Sequence, residues 1–240
     1  MAVYSNTDIL RAIEDGTIVC VPFDTHHVSE ASLDFTLGYH YYRQEAVEVA
    51  RVYNPFDKGE VARYFNGPHI AMPHKKWCQK NGYTLFKNIP EDHPIIVLQP
   101  GERILAHTHE FVGIRAHGGA AEVKSRSSWG RNGVAVCFDA GWVDPGYINR
   151  ITLEIYNLNK HESVVLPVGE RIGQLIFHDT VSPVKGSYSD GRQGMSGKYQ
   201  TSDNLEELIA SWHPSQMLPR AYKDIRVLPQ PIDTLSEDIR

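Results

Sequence analysis

Residues 124–157 concentrate the side chains of this chain whose types and spacing can do chemistry. Lys124, Arg126 and Arg131 put three cations within eight residues, around the hydroxyls of Ser127 and Ser128. Such a turn can hold a small polyphosphate through cationic and backbone donors. A short apolar segment, the turn Val143-Asp144-Pro145-Gly146 and a second segment with one carboxylate, Glu154, follow without interruption. Over 151–156 apolar and polar residues alternate. Ile151, Leu153 and Ile155 share one face, and Thr152, Glu154 and Tyr156 the other, so Glu154 points away from the core stripe. Residues 134–138 alternate likewise, and the Pro and Gly of the turn suit the reversal that joins the two strands. A chain that doubles back here gathers Ser127, Ser128, Arg131, Asp144 and Glu154 in one cleft.

The elements that must position these residues are mostly short strands. Ser5 and Asp8 read as a capping box with Asp in place of Glu, opening a helix with Ile9, Leu10 and Ile13 on one side and Gly16 as its stop. Strands follow over 18–21 and 32–38, the latter placing Leu33, Phe35 and Leu37 together. Residues 51–92, rich in Pro, Gly, Asn, His and Lys, show no sustained period and read as an elaborated loop insertion. Strands at 94–98 and 103–108 flank a Pro100-Gly101 turn of type II. Two more, at 163–166 and 172–178, come after the central block. Short strands at regular spacing with turn signals between them predict an all-β barrel or sandwich. Residues 187–198 are glycine-rich and polar, which predicts a mobile segment. Asp203 is the expected cap of a last helix through Trp212, which ends before His213-Pro214.

Composition bounds the class. The 240 residues suffice for a sizeable core, and 41% hydrophobic with 22% charged residues is ordinary for a globular protein. No apolar run approaches the ~20 residues of a membrane span, and the first residues lack the basic and apolar regions of a secretory signal, so a cytoplasmic protein is expected. A net charge of -5 argues against a nucleic-acid-binding face. Cys20, Cys78 and Cys137 are odd in number and widely spaced, fitting reduced thiols that are ordinary packed or surface residues.

Three blocks, in order, carry a family resemblance: Arg126-Ser127-Ser128-Trp129-Gly130-Arg131, then Ala140-Gly141-Trp142-Val143-Asp144-Pro145-Gly146-Tyr147, then Ile151-Thr152-Leu153-Glu154-Ile155. The chain resembles the dCTP deaminase branch of the dUTPase-like superfamily. The likeness extends to Ala31-Ser32-Leu33-Asp34, Leu98-Gln99-Pro100-Gly101-Glu102 and Gly173-Gln174-Leu175. It implies a mainly β, dUTPase-like distorted barrel or jelly roll (β-clip) with a few short helices. That domain would span 1–200, with residues 51–92 as an insertion and 201–240 as an extension carrying one short helix. A homotrimer with its nucleotide sites at subunit interfaces is implied as well.

The resemblance also implies roles. Hydrolysis of the cytosine 4-amino group needs water to add at C4, and a carboxylate can take the water proton and return it to the departing ammonia. Glu154 is assigned that shuttle, Arg131 holds it and favours its charged form, and the Ser127 hydroxyl and Ala140 carbonyl help place the water and the base. Arg126, Ser127 and Ser128 cradle the phosphates, with Trp129, Gly130, Thr152 and Leu153 also at the substrate. Asp144 receives the deoxyribose 3′-hydroxyl, and Tyr147 lies beneath the sugar and crowds out a 2′-hydroxyl. Gln174, Tyr188 and Lys198 match further nucleotide-contacting positions. Magnesium is expected on the phosphate oxygens, with no metal bound by the protein itself. The His-x-Glu and Pro-Cys-x-x-Cys signature of zinc nucleobase deaminases is absent.

Several positions bear on the product. Ala140-Gly141-Trp142 and Gln174 are similar to the bifunctional branch that carries dCTP through to dUMP, and Asp139 stands where a small or hydroxyl residue is usual. The residues after Lys198 lack the glutamine usually found four positions on. A regulatory relative that binds dNTPs without turnover is a further alternative. From a different class, Gly101, His107 and His109 fit the opening of a cupin metal site. No glutamate three to four residues on and no second half support it, so both histidines are read as surface or interface residues.

Overall fold

In the computed structural model, which describes residues 2–44, 51–191 and 197–224, the first sequence signal becomes a reciprocal cap. Asp8 N donates to Ser5 Oγ at 3.3 Å and Ser5 N to Asp8 Oδ2 at 3.1 Å, opening helix α1 (Asn6–Glu14). Gly16, at φ +80°, follows its end. Ile9 and Ala12 are the buried residues of this helix, whereas Leu10, expected beside Ile9, is exposed. Strands β1 (Ile18–Val21), β2 (Val28–Ser29), β3 (Ser32–Thr36) and β4 (His40–Gln44) follow. Every residue of β3 is buried.

Residues 51–92 are built rather than irregular, which corrects the expectation of a loop. They form helix α2 (Lys58–Tyr64), strands β5 (Phe65–Ile70) and β6 (Met72–Pro73), and helix α3 (His74–Asn81). Asp57 caps α2 by accepting from Gly59 N at 2.6 Å and Glu60 N at 3.1 Å. Among the described residues β5 pairs only with β4, at a sheet edge where Pro68 is tolerated. His74 is fully buried and accepts the Phe86 N–H at Nε2 (2.8 Å), which ties the segment after α3 back to the helix. These helices are too short for a hydrophobic period to show.

The remaining elements are β7 (Pro94–Leu98), β8 (Arg103–His107), β9 (Phe111–Ile114), β10 (Ala120–Ser125), helix α4 (Ser127–Arg131), β11 (Val134–Val136), β12 (Trp142–Val143), β13 (Ile148–Asn149), β14 (Thr152–Asn157), β15 (Val164–Pro167), β16 (Arg171–His178) and helix α5 (Leu205–Ser211). The strands form sheets in the orders β12-β10-β16-β3-β2, β11-β14-β8-β4-β5, β1-β9-β13 and β15-β7-β6. This is the expected mainly β architecture. Their inner faces share one apolar core that includes Leu33, Phe35, Ile104, Leu153, Ile155 and Phe177.

The central block is less simple than a hairpin. Strands β11 and β14 do pair, Val136 opposite Ile155, yet the Asp144 turn does not join them directly. Between them β12 leaves to pair with β10, and β13 pairs with β9, so the turn is carried by two other sheets. The crossing needs glycine: a Cβ on Gly113 would lie 2.0 Å from the Tyr147 carbonyl oxygen.

Two local readings change. Helix α5 is capped by Asn204, whose Oδ1 accepts from Glu206 N at 2.9 Å and Glu207 N at 3.2 Å. Asp203 is occupied elsewhere, accepting from Ser187 Oγ at 2.9 Å. His107, expected at a surface or interface, is fully buried, packed at a tilt against Trp212 with ring centroids 4.7 Å apart. A Cβ on Gly38 would sit 2.1 Å from its ring, so the imidazole fills the space that glycine leaves. His109 is half-buried against Tyr39. Part of the extension, 225–240, and residues 192–196 of the glycine-rich segment lie outside the described residues.

Candidate functional site

The basic turn is anchored from below. Strand β10 runs antiparallel to β16, placing Lys124 opposite Gln174 and Ser125 opposite Gly173, and the chain then turns into α4. Trp129 N and Gly130 N both donate to Arg126 O, at 3.0 and 3.1 Å, and Trp129 Nε1 donates to Arg171 O at 3.0 Å. Beneath the turn lies Asp34, 2% exposed, with Oδ2 3.2 Å from Arg126 Nε and 3.3 Å from Arg171 Nη1. Burial pushes the Asp34 carboxyl up, and the two guanidinium groups oppose that rise. The Ser127 and Ser128 hydroxyls are exposed and make no hydrogen bond with a described residue, and Gly130 has open space around it. Lys124 pairs with Glu122.

Glu154 sits in a different setting. On β14, Thr152, Glu154 and Tyr156 form the half-buried face, opposite His107, Leu105 and Arg103 of β8, while Leu153 enters the core. The Glu154 Oε2 atom is buried without a hydrogen-bond partner among the described residues. Burial raises the Glu154 pKa, and the neighbouring Cys137 thiol and the Arg103 charge oppose it. Cys137 takes a left-handed backbone, φ +63°, with its N–H donating to Glu154 O at 3.1 Å and its Sγ to Ala140 O at 3.1 Å. Cys137 is thus a packed thiol, as expected from the sequence, and its Sγ sits against the Ala140 carbonyl on the strand pair that carries Glu154. Arg103 escapes sequence reading because only the β8–β14 register brings it near. Arg131 is exposed and makes no ion pair with a described residue of its own chain, Glu154 included.

Asp144 opens a tight turn in which Tyr147 N donates to Asp144 O at 3.0 Å and Gly146 adopts φ +87°. The Asp144 carboxylate is half-buried and makes no ion pair or hydrogen bond with a described residue. Tyr147 meets Tyr188 edge-on, ring centroids 4.9 Å apart, and Tyr188 N donates to Pro145 O at 3.1 Å. So the segment after β16 packs on this turn. Lys198 is turned to Asp224, Nζ to Oδ1 2.7 Å. Trp142 is 54% exposed and stacks on His178, and Asp139 and Ala140 are exposed.

The sequence model of dCTP deaminase-like proteins matches residues 3–180. A Methanopyrus kandleri protein named dCTP deaminase, dUMP-forming, is 34% identical over 203 residues, covering 83% of this chain and 91% of its own. A Haloarcula marismortui protein named dCTP deaminase is 32% identical over 201 residues, 81% of this chain and 91% of its own. Among solved structures, the 2′-deoxycytidine 5′-triphosphate deaminase from Agrobacterium tumefaciens aligns with a TM-score of 0.49 and 18% identity. That alignment covers 73% of this chain and 46% of that one, so the chain spans about half the length of that structure.

Proposed function

The chain belongs to the dCTP deaminase-like family, and from that premise we propose that it hydrolyses the 4-amino group of dCTP with Glu154 as the proton carrier. The observation that carries the reading is the buried Glu154 Oε2 without a partner, on a carboxyl whose pKa burial has raised. A carboxylate poised above its ordinary range is suited to both taking and giving a proton.

The balance of the reaction fits one carboxylate. Glu154 removes a proton from water as its oxygen bonds to C4 and delivers a proton to ring N3. It then takes the proton of the new hydroxyl and gives it to the amine as the C4–N bond breaks, leaving a uracil ring and ammonia. The Ala140 carbonyl, which the Cys137 thiol contacts, would help place the water and the base. Arg126, Ser127 and Ser128 would take the triphosphate, with Trp129, Gly130 and Gln174 beside them. Asp144 and Tyr147 would take the sugar, with Tyr188 against them.

In this reading the site is completed in a homotrimer. The support is that the Arg131, Ser127 and Ser128 side chains are exposed with no side-chain partner among the described residues, while Glu154 keeps a buried oxygen open. Magnesium would travel on the phosphate oxygens. The described residues include no group of three or more His, Cys, Asp or Glu side chains suited to a metal ion. Three free buried cysteines suit a reducing, cytoplasmic setting. No helix of the described residues is long and apolar enough to cross a membrane.

A second product is favoured by Ala140-Gly141-Trp142 and by the name of the Methanopyrus kandleri relative: dUMP with diphosphate, from further attack of water on the triphosphate. Incubation with dCTP and, separately, with dUTP in magnesium, with nucleotide, ammonia and diphosphate identified, tests both readings. Ammonia from dCTP is expected. Its absence sinks the deaminase reading, and intact dUTP sinks the second product.

A further inference from the structure

Gln200 is 2% exposed, on the segment that follows β16. Its Oε1 accepts the Ile148 N–H at 2.7 Å and its Nε2 donates to Gly146 O at 2.8 Å. Those two groups belong to the peptide units on either side of Tyr147, so one side chain grips the backbone before and after that residue. The partners also fix the amide's orientation, because an N–H must donate and a carbonyl must accept. The second Nε2 proton goes to Asp203 Oδ1 at 3.2 Å, which also accepts from Ser187 Oγ.

The surroundings leave little freedom. A Cβ on Gly146 would fall 2.2 Å from Ser187 Oγ, and one on Gly197 2.5 Å from Tyr188 O. Asn149 Nδ2 donates to Tyr199 O at 3.3 Å, adding a second tie between the turn and the same segment. A buried amide that satisfies two backbone groups has no water to replace it, so its loss leaves a donor and an acceptor unpaired and the turn free to shift.

We infer that Gln200 is a positioning residue: by holding both peptides around Tyr147 it fixes that ring beneath the sugar and thereby sets the preference for 2′-deoxy over ribo nucleotide. The inference rests on the reading above, in which Tyr147 lies under the deoxyribose. Rejecting an added hydroxyl by shape alone reaches only ~10²-fold, and a displacement of about 1 Å is enough to erode it.

The test is the ratio of kcat/KM for dCTP to that for CTP, measured on the full chain as wild type, Gln200→Ala, Gln200→Glu, Tyr147→Ala and the double variant Tyr147→Ala/Gln200→Ala. The glutamate variant keeps the size and the acceptor but cannot donate to Gly146 O when ionised. Both Gln200 variants are expected to lower the ratio ~10-fold, through KM more than kcat. In the Tyr147→Ala background the second substitution should leave the ratio unchanged, because Gln200 acts through that ring. If Gln200→Ala does not fold, Gln200→Glu decides by the same ratio. A folded variant with the wild-type ratio, or parallel losses on both nucleotides, overturns the inference while wild-type deamination stands. A wild type that releases no ammonia from dCTP sinks the deaminase reading itself, and this inference with it.

Discussion

Asp34 Oδ2 lies 3.2 Å from Arg126 Nε, so a carboxylate with 2% exposure fixes the cation at the mouth of the basic turn. Arg171 reaches the same oxygen at 3.3 Å, and β3 is paired with β16, which places Asp34 opposite Gln174. The arrangement orients a guanidinium outward without its having to find a partner there. Asp34→Asn should raise the KM for dCTP about tenfold and cost ~1–3 kcal/mol, less than a fully buried pair because both arginines are partly exposed. Steady-state kinetics and denaturant melts check this. An unchanged KM would separate Asp34 from the phosphate turn.

Glu154→Gln should abolish ammonia release, a loss of ~10²–10⁴-fold, while dCTP binding persists. The same change has a stability signature. The folded Glu154 pKa is raised above its ordinary 4.5, so the wild type loses stability as pH climbs through the window between the unfolded and folded values. Glutamine has no such loss. The variant should therefore gain on the wild type at neutral pH, and the gain should vanish below pH ~4.5. Ammonia release at the wild-type rate would remove Glu154 from the chemistry.

How much of this was legible in the sequence depends on separation along the chain. The Ser5 cap, the strand over 152–157 with Leu153 inward and Glu154 outward, and the Gly101 turn all follow from neighbours within a few residues. The site's other half does not. Asp34 under Arg126, Arg103 near Glu154 and Gln200 on the Tyr147 turn are joined by sheet register or by a returning tail, for which no local period exists. Residues 51–92 were opaque for another reason: α2 and α3 each run two turns, and an edge strand with Gly67 and Pro68 shows no alternation.

Cys137 offers a finer test of the carboxylate's surroundings. The Cys137 thiol beside Glu154 lowers the carboxyl's pKa against the larger effect of burial. Cys137→Ala should move the acidic limb of the kcat/KM profile for dCTP to higher pH, and Cys137→Ser, which keeps a donor, should restore it toward the wild type. Superimposable profiles for all three proteins would mean that the thiol does not act on Glu154.

Asp144 keeps a half-buried carboxylate that no described residue satisfies. A hydrogen bond to a charged acceptor contributes ~1.5–3 kcal/mol, so Asp144→Asn should raise the KM for dCTP ~10–100-fold. A melt close to the wild type is expected, since the turn is held by its backbone bonds. A normal KM would contradict the sugar assignment.

His107 ties the fold's stability to acid. Its Nδ1 lies 2.7 Å from Thr108 O, to which it must donate, and Nε2 accepts the His40 N–H at 3.2 Å, so both nitrogens are committed as the neutral imidazole. Burial pushes its pKa down to about 3. A folded value below the unfolded 6.5 means that this stability is fully present above pH ~6.5 and drains as pH falls toward 3, at ~1.4 kcal/mol per pH unit. His107→Gln should cost ~2–4 kcal/mol at pH 7 through lost packing on Trp212 and lost hydrogen bonds. Between pH 6 and 4 it should also flatten the decline by ~1.4 kcal/mol per unit, read from urea midpoints at each pH. Equal slopes in the two proteins would mean that the imidazole is protonated in the fold, and the buried neutral ring would be wrong.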